Sequence, residues 1–156
     1  MVADVYETIL LELSEVFKIP PLKPDPNHSC LIKLKNGCEI QIEPDAAMEN
    51  LIIGANIAAV PPGGYRANIF REALKFNGLP PPKKGIFAWS KKADQLVLFS
   101  ILPLKNLTGT KVAELIVPFT AIAMKWREAI LAGHVPQVEV VTSGGKAPRG
   151  GGLFGL

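Results

Sequence analysis

The sequence predicts an α+β domain: an antiparallel five-stranded sheet with three helices, in the order α–β–β–β–α–β–β–α. Three observations predict it. Three stretches repeat apolar residues at i, i+3, i+4, the period of a helix packed on one side. Two pairs of short apolar runs are joined by Gly-, Asn- or Lys-bearing turns, the mark of hairpins. The strands come in groups rather than alternating one by one with helices, which favours antiparallel pairing over βαβ crossovers.

The first helix carries its stripe on Val5, Ile9, Leu13 and Val16, widened by Tyr6, Leu10 and Phe17. Asp4 with Glu7 three residues on reads as a capping box. Pro20, Pro21, Pro24 and Pro26 then forbid helix and impose an extended linker. Residues 31–34 and 38–42 form a hairpin. A two-residue Asn36-Gly37 turn would set Leu34 against Glu39, so a three-residue loop, Lys35-Asn36-Gly37, is expected. It pairs Leu34 with Cys38, Ile32 with Ile40 and Cys30 with Ile42, sets Lys33 against Glu39, and puts Gly37 in the left-handed position of a bulge. In that register the two cysteines lie about 13 Å apart along the sheet at ~3.3 Å per residue, too far for a disulfide.

Pro44-Asp45 turns the chain into a third strand over residues 50–60, in which Gly54 marks a bulge or a close backbone approach. Pro61-Pro62-Gly63-Gly64 ends it. The second helix covers residues 65–76 with the stripe Tyr65, Ile69, Ala73, Phe76, and stops at Asn77-Gly78. A second hairpin pairs residues 85–90 with 95–102 around a turn at residues 91–94. Leu96-Val97-Leu98-Phe99 is apolar on both faces, so both are expected to be covered, by this chain or another. The last helix begins at a cap at Thr108 or Thr110 and runs to about Leu131 on the stripe Val112, Leu115, Phe119, Ile122, Trp126, Ile130. Pro118 inside it should kink or split it. Residues 1–142 are thus one domain. Residues 143–156 are Gly-rich and basic, a tail expected to be dispensable for folding.

Composition narrows function by exclusion. Residues 1–78 carry a net charge of −3 and residues 79–156 carry +6. The lysines come as pairs, Lys83-Lys84 and Lys91-Lys92, without an aromatic-rich basic strand of the kind that stacks bases. A basic nucleic-acid-binding module, which needs Lys83, Lys84, Lys91, Lys92, Lys105 and Arg149 on one face, is the competing reading. Cys30, Cys38, His28 and His134 do not follow the spacing of a zinc module, and two reduced thiols are expected, with no metal and no cofactor. His28 and Ser29 are strand neighbours pointing to opposite faces, so they cannot form a nucleophile–base pair. Gly144-Gly145-Lys146 lacks the remainder of a phosphate loop. No catalytic set emerges and no enzyme is expected. The N-terminus has no basic region leading into an apolar run, and residues 112–122 are too short to span a bilayer, so a soluble intracellular protein is expected. Three helices cannot cover both faces of five strands, so apolar surface should remain for another chain.

The ordered pattern resembles the class I type III secretion chaperones, the Tir-chaperone (CesT-like) family. The resemblance is carried by Pro61-Pro62-Gly63-Gly64-Tyr65-Arg66 before the second helix and Glu72-Ala73-Leu74-Lys75-Phe76-Asn77 at its end. It continues through Gly85-Ile86-Phe87-Ala88, Leu96-Val97-Leu98, Leu102-Pro103-Leu104 and Trp126, and spans roughly residues 5–135. It implies a small dimeric protein of the bacterial cytoplasm, without nucleotide hydrolysis, that holds the N-terminal region of a secreted virulence effector extended and secretion-competent. It further implies a dimer surface at Ile69, Phe70, Ala73, Leu74, Phe87 and Trp89. Effector grooves would fall at Leu10, Leu13 and Phe17 of the first helix, and at Ile32, Leu34, Ile40, Ile42, Leu51 and Ile53 of the first three strands. The family is usually acidic, whereas this chain has a pI near 8.9. The implied partner in the dimer is therefore either a second copy or an acidic sister chaperone.

Overall fold

The structure is a computed structural model that describes residues 2–139. Its elements are α1 (Val2–Phe17), β1 (Cys30–Lys33), β2 (Glu39–Pro44), β3 (Asn50–Ala58), α2 (Gly64–Asn77), β4 (Ile86–Ser90), β5 (Gln95–Pro103) and α3 (Gly109–Leu131). The strands form one antiparallel sheet in the spatial order β1-β2-β3-β5-β4, so the fold is the α+β arrangement the sequence predicts. α1 starts earlier than expected, at Val2, which places Asp4 in the first turn rather than at the cap. The expected tail, and the domain boundary at residue 142, lie outside the described residues.

The first hairpin has the three-residue loop. Cys30 pairs with Ile42, Ile32 with Ile40 and Lys33 with Glu39. The Leu34 amide donates to the Cys38 carbonyl at 2.9 Å, and Gly37 sits at φ +87°. Alternation selected this register: a one-residue slip would turn either Ile32 or both Ile40 and Ile42 to solvent. Both cysteines are buried free thiols, and burial pushes both pKa values up.

Gly54 is not the bulge. It pairs regularly with Gln41 of β2 and Phe99 of β5, and the irregularity falls between Asn56 and Ala58. Pairing with β2 ends at Gly54, so beyond it β3 is held from one side only and has room to bulge.

The inner face of the sheet presents Ile32, Ile40, Ile42, Leu51, Ile53 and Leu98, all fully buried. Against it lie Ile9, Leu10 and Leu13 of α1 and Val112, Ile116 and Phe119 of α3. The Tyr6 hydroxyl crosses this layer to donate to the Ile42 carbonyl at 3.0 Å. Pro118 does not split α3, which runs unbroken from Gly109 to Leu131. Proline removes one backbone donor. Buried residues on both sides of it, from Val112 to Ile130, outweigh that loss.

α1 and α3 also meet end-on. Thr108 caps α3 by accepting from the Lys111 amide, and Glu12 of α1 accepts from the Gly109 amide at 2.6 Å, so α1 supplies a second, charged cap. A Cβ on Gly109 would stand 2.4 Å from the Glu12 Cβ and 2.7 Å from the Leu13 amide nitrogen. Gly109→Ala should therefore force the two helices apart and cost ~1–3 kcal/mol, an overpacking penalty that helix propensity does not repay. Chemical denaturation should show a lower midpoint; an unchanged midpoint would refute the contact.

α2 differs most from expectation. Its buried residues are Ile69, Glu72 and Ala73, with a carboxylate where an apolar stripe was read. The chain beyond α3 lies against the helix: Tyr65 donates from its hydroxyl to the His134 carbonyl at 2.7 Å, and the Glu72 carboxylate accepts from the Val138 amide at 3.0 Å and pairs with Lys75 at 2.8 Å. The hydrogen bond from Lys75, followed by that from Val138, holds the Glu72 pKa below the usual carboxylate range. A lowered folded-state pKa stabilises above the unfolded pKa, about 4.3, and that contribution disappears as pH falls through the folded value. Glu72→Gln should thus flatten the acid limb of thermal stability measured between about pH 3 and pH 7. Parallel curves for the two proteins would count against this linkage.

Candidate functional site

Among the described residues, uncovered apolar surface gathers in three places, apart from the exposed Val117 and Leu131 on α3. The first lies between α2 and β4. Leu74 is 70% exposed and stands over a cleft of about 160 Å³ lined by Phe70, Ala73, Phe87 and Trp89. Phe70 and Trp89 meet edge to face at 5.2 Å, and the Arg66 guanidinium lies 4.6 Å above the Trp89 ring. Beneath, Phe87 contacts Phe76 at 5.0 Å and Trp126 at 4.3 Å, which fixes β4 to α2 and α3. Five of the six predicted dimer residues thus line one cleft or stand at its lip, and Ile69 lies under them, fully buried.

The sequence marks Asn77 as a helix stop and as the last residue of the family-like run that ends α2. Its side chain accepts from the Phe87 amide at 2.8 Å and donates to the Phe87 carbonyl at 3.0 Å. A single carboxamide thereby takes the place of a neighbouring strand near the start of the β4 edge, closing it there to pairing. An Asn followed by Gly at a helix end carries no mark of this, because the partner lies ten residues on. β1 is the opposite edge of the sheet.

The second place is the rim of α1 and the first hairpin. Leu10, Leu13, Ile32, Ile40, Ile42, Leu51 and Ile53 are in the core with at most 2% of their surface exposed, whereas Phe17 and Leu34 are half-buried at its border. Leu11 and Val16 are exposed on α1, beside the predicted set. The third is the outer face of the sheet, where Leu31, Gln41, Gly54, Phe99 and Ile86 form one cross-strand row on the side away from the core that α1 and α3 cover among the described residues.

The lysines that a nucleic-acid face would need are not assembled. Lys91 and Lys92 occupy the β4–β5 turn, whereas Lys105 follows the far end of the nine-residue β5, about 30 Å away at ~3.3 Å per residue. Among the described residues no group of three or more His, Cys, Asp or Glu side chains could hold a metal ion, and no helix is long and apolar enough to cross a membrane.

A small sheet with helices on one face, a plugged edge and apolar clefts open to solvent defines a protein built to engage other polypeptides. The Tir chaperone protein (CesT) family matches residues 8–127, and the chain belongs to that family. No curated protein matches the sequence. Among solved structures, the chain is similar to one in the HopA1–SchA chaperone–effector complex, with 18% identity, a TM-score of 0.65, and coverage of 80% of this chain and 94% of that one. It is similar to one in the ExsC–ExsE complex at 16% identity and a TM-score of 0.63, covering 83% and 96%. The type III secretion chaperone SycH of Yersinia pestis, in complex with a fragment of YscM2, gives 15% identity and a TM-score of 0.61, covering 78% and 98%. At these identities the likeness establishes the fold.

Proposed function

We propose that this protein is a type III secretion chaperone. It binds the N-terminal region of a secreted effector in extended form and keeps it soluble and secretion-competent in the bacterial cytoplasm, without catalysis. The observation that supports this most is the apolar surface its own chain leaves uncovered on a fold of the Tir chaperone family. Two copies, or one copy with an acidic sister chaperone, join through the cleft of Phe70, Ala73, Leu74, Phe87 and Trp89, with Ile69 supporting it from beneath. The effector lies along α1 and the first hairpin. There the buried Leu10, Leu13, Ile32, Ile40, Ile42, Leu51 and Ile53 set the shape, and Phe17 and Leu34 offer the contact. Backbone pairing at the β1 edge adds a strand in a sequence-tolerant way, and side-chain pockets supply selectivity.

Co-expression with the N-terminal region of a candidate effector, purification of the complex and hydrogen exchange test the proposal. Protection is expected along α1 and β1–β2 on effector binding, with the effector segment remaining sensitive to protease when the chaperone is absent. Protection confined to residues 83–92, with competition by an oligonucleotide, would overturn it.

A further inference from the structure

Gly54 lies at the centre of the sheet, and none of the described residues requires a glycine there. Its φ is not in the left-handed region, its pairing is regular on both sides, and the nearest atom to an added Cβ is the Leu98 carbonyl oxygen at 3.9 Å, an ordinary contact. A glycine in a strand interior weakens the strand and marks a place where something else approaches the backbone. The side chain it lacks would point to the outer face, since Ile53 and Ala55 on either side are buried inward. The missing side chain opens into a concavity of about 510 Å³ that Leu31, Ile52, Val97 and Phe99 line from the outer face and that Met124 and Arg127 of α3 also line. Glu43 lines the same concavity and, unlike Glu39 with Lys33, has no ion-pair partner among the described residues.

We infer that this face binds an extended segment of the effector, with a bulky apolar side chain seated over Gly54 and a lysine or arginine two positions away reaching Glu43. Register supplies the spacing. Glu43 stands opposite Ile52 and Gln41 opposite Gly54, so the carboxylate lies two residues along the sheet from the dimple. Side chains on one face of an extended segment repeat at about 6.6–6.8 Å, the same interval. The Glu43 carboxylate selects a basic residue by charge complementarity, since Glu39 in the same lining already pairs with Lys33 and the Arg127 guanidinium donates to the Ile57 carbonyl at 2.9 Å. This rests on the chaperone reading and adds to it a site away from the α1 groove, with a side-chain preference.

The test uses a fluorescent threonine-rich peptide of about nine residues bearing leucine and lysine two positions apart, and a second peptide with glutamate replacing the lysine. The folded protein should bind the first at least tenfold more tightly than the second. Gly54→Val fills the dimple, so it should weaken the first peptide at least tenfold while leaving the thermal midpoint unchanged or raised. Glu43→Lys should reverse the preference between the peptides. Because Glu43 is only partly buried, this variant keeps the test decisive should Gly54→Val misfold. Failure of the folded wild-type protein to bind either peptide, or equal binding by wild type and both variants, would overturn the sheet-face site. Effector capture along α1 in the hydrogen-exchange experiment would still stand in that case, so the two proposals fail separately.

Discussion

Leu13→Asp should unfold the domain rather than leave a folded chaperone that has lost only its grip on an effector. Leu13 has no exposed surface, and it packs between α1 and the sheet next to the Gly109 contact. The change removes a buried side chain worth ~1.5–3 kcal/mol and places a carboxylate within the apolar core. The sum is on the order of 5 kcal/mol, as large as the whole stability of many small domains. Circular dichroism should show loss of the cooperative transition at ordinary temperature. A folded Leu13→Asp protein that failed only in capture would mean that α1 opens to expose its inner face when an effector binds. Leu11→Asp gives the contrast, because Leu11 is half exposed on the same helix and should leave folding nearly intact.

Leu74→Glu should have the opposite profile: a stable monomer that no longer associates. Exposure of 70% makes the charge nearly neutral for the isolated chain. Buried against a second subunit, the unpaired carboxylate would cost several kcal/mol, or roughly two to three orders of magnitude in the association constant. Light scattering and sedimentation should show a dimer for the wild type, alone or with its acidic sister, and a monomer for the variant. Val117→Glu controls for surface charge in general, since Val117 is 62% exposed on α3 and should leave association unchanged. Equal association by all three proteins would place the dimer elsewhere.

The contrast between these two leucines shows where sequence pattern stops. Leu13 belongs to the apolar stripe of α1 and Leu74 lies beside that of α2, and the family resemblance implies contact roles for both. One is core and the other is surface, a difference set by how each helix is rotated against the sheet. On α2 that rotation turns Glu72 inward to hold Val138 and Lys75, and turns Leu74 outward. Periodicity gives the width of a stripe but not what lies against it, and here the chain following α3 is part of what lies against it.

Local chemistry did determine a great deal. The alternation of Ile32, Ile40 and Ile42 with polar neighbours fixed the register of the first hairpin, because a one-residue slip would put half its apolar residues in water. Gly37 fixed the loop, the prolines after Phe17 fixed the end of α1, and the grouping of strands fixed an antiparallel sheet. Each of these is decided by neighbours a few residues apart. The spatial order β1-β2-β3-β5-β4, the Asn77 plug on the β4 edge, the Glu12 cap on α3 and the bare outer face around Gly54 were decided only by tertiary structure. These features join groups from 10 to 97 residues apart, and a hydrogen bond or a void between them exists only once the sheet and helices have set their relative positions.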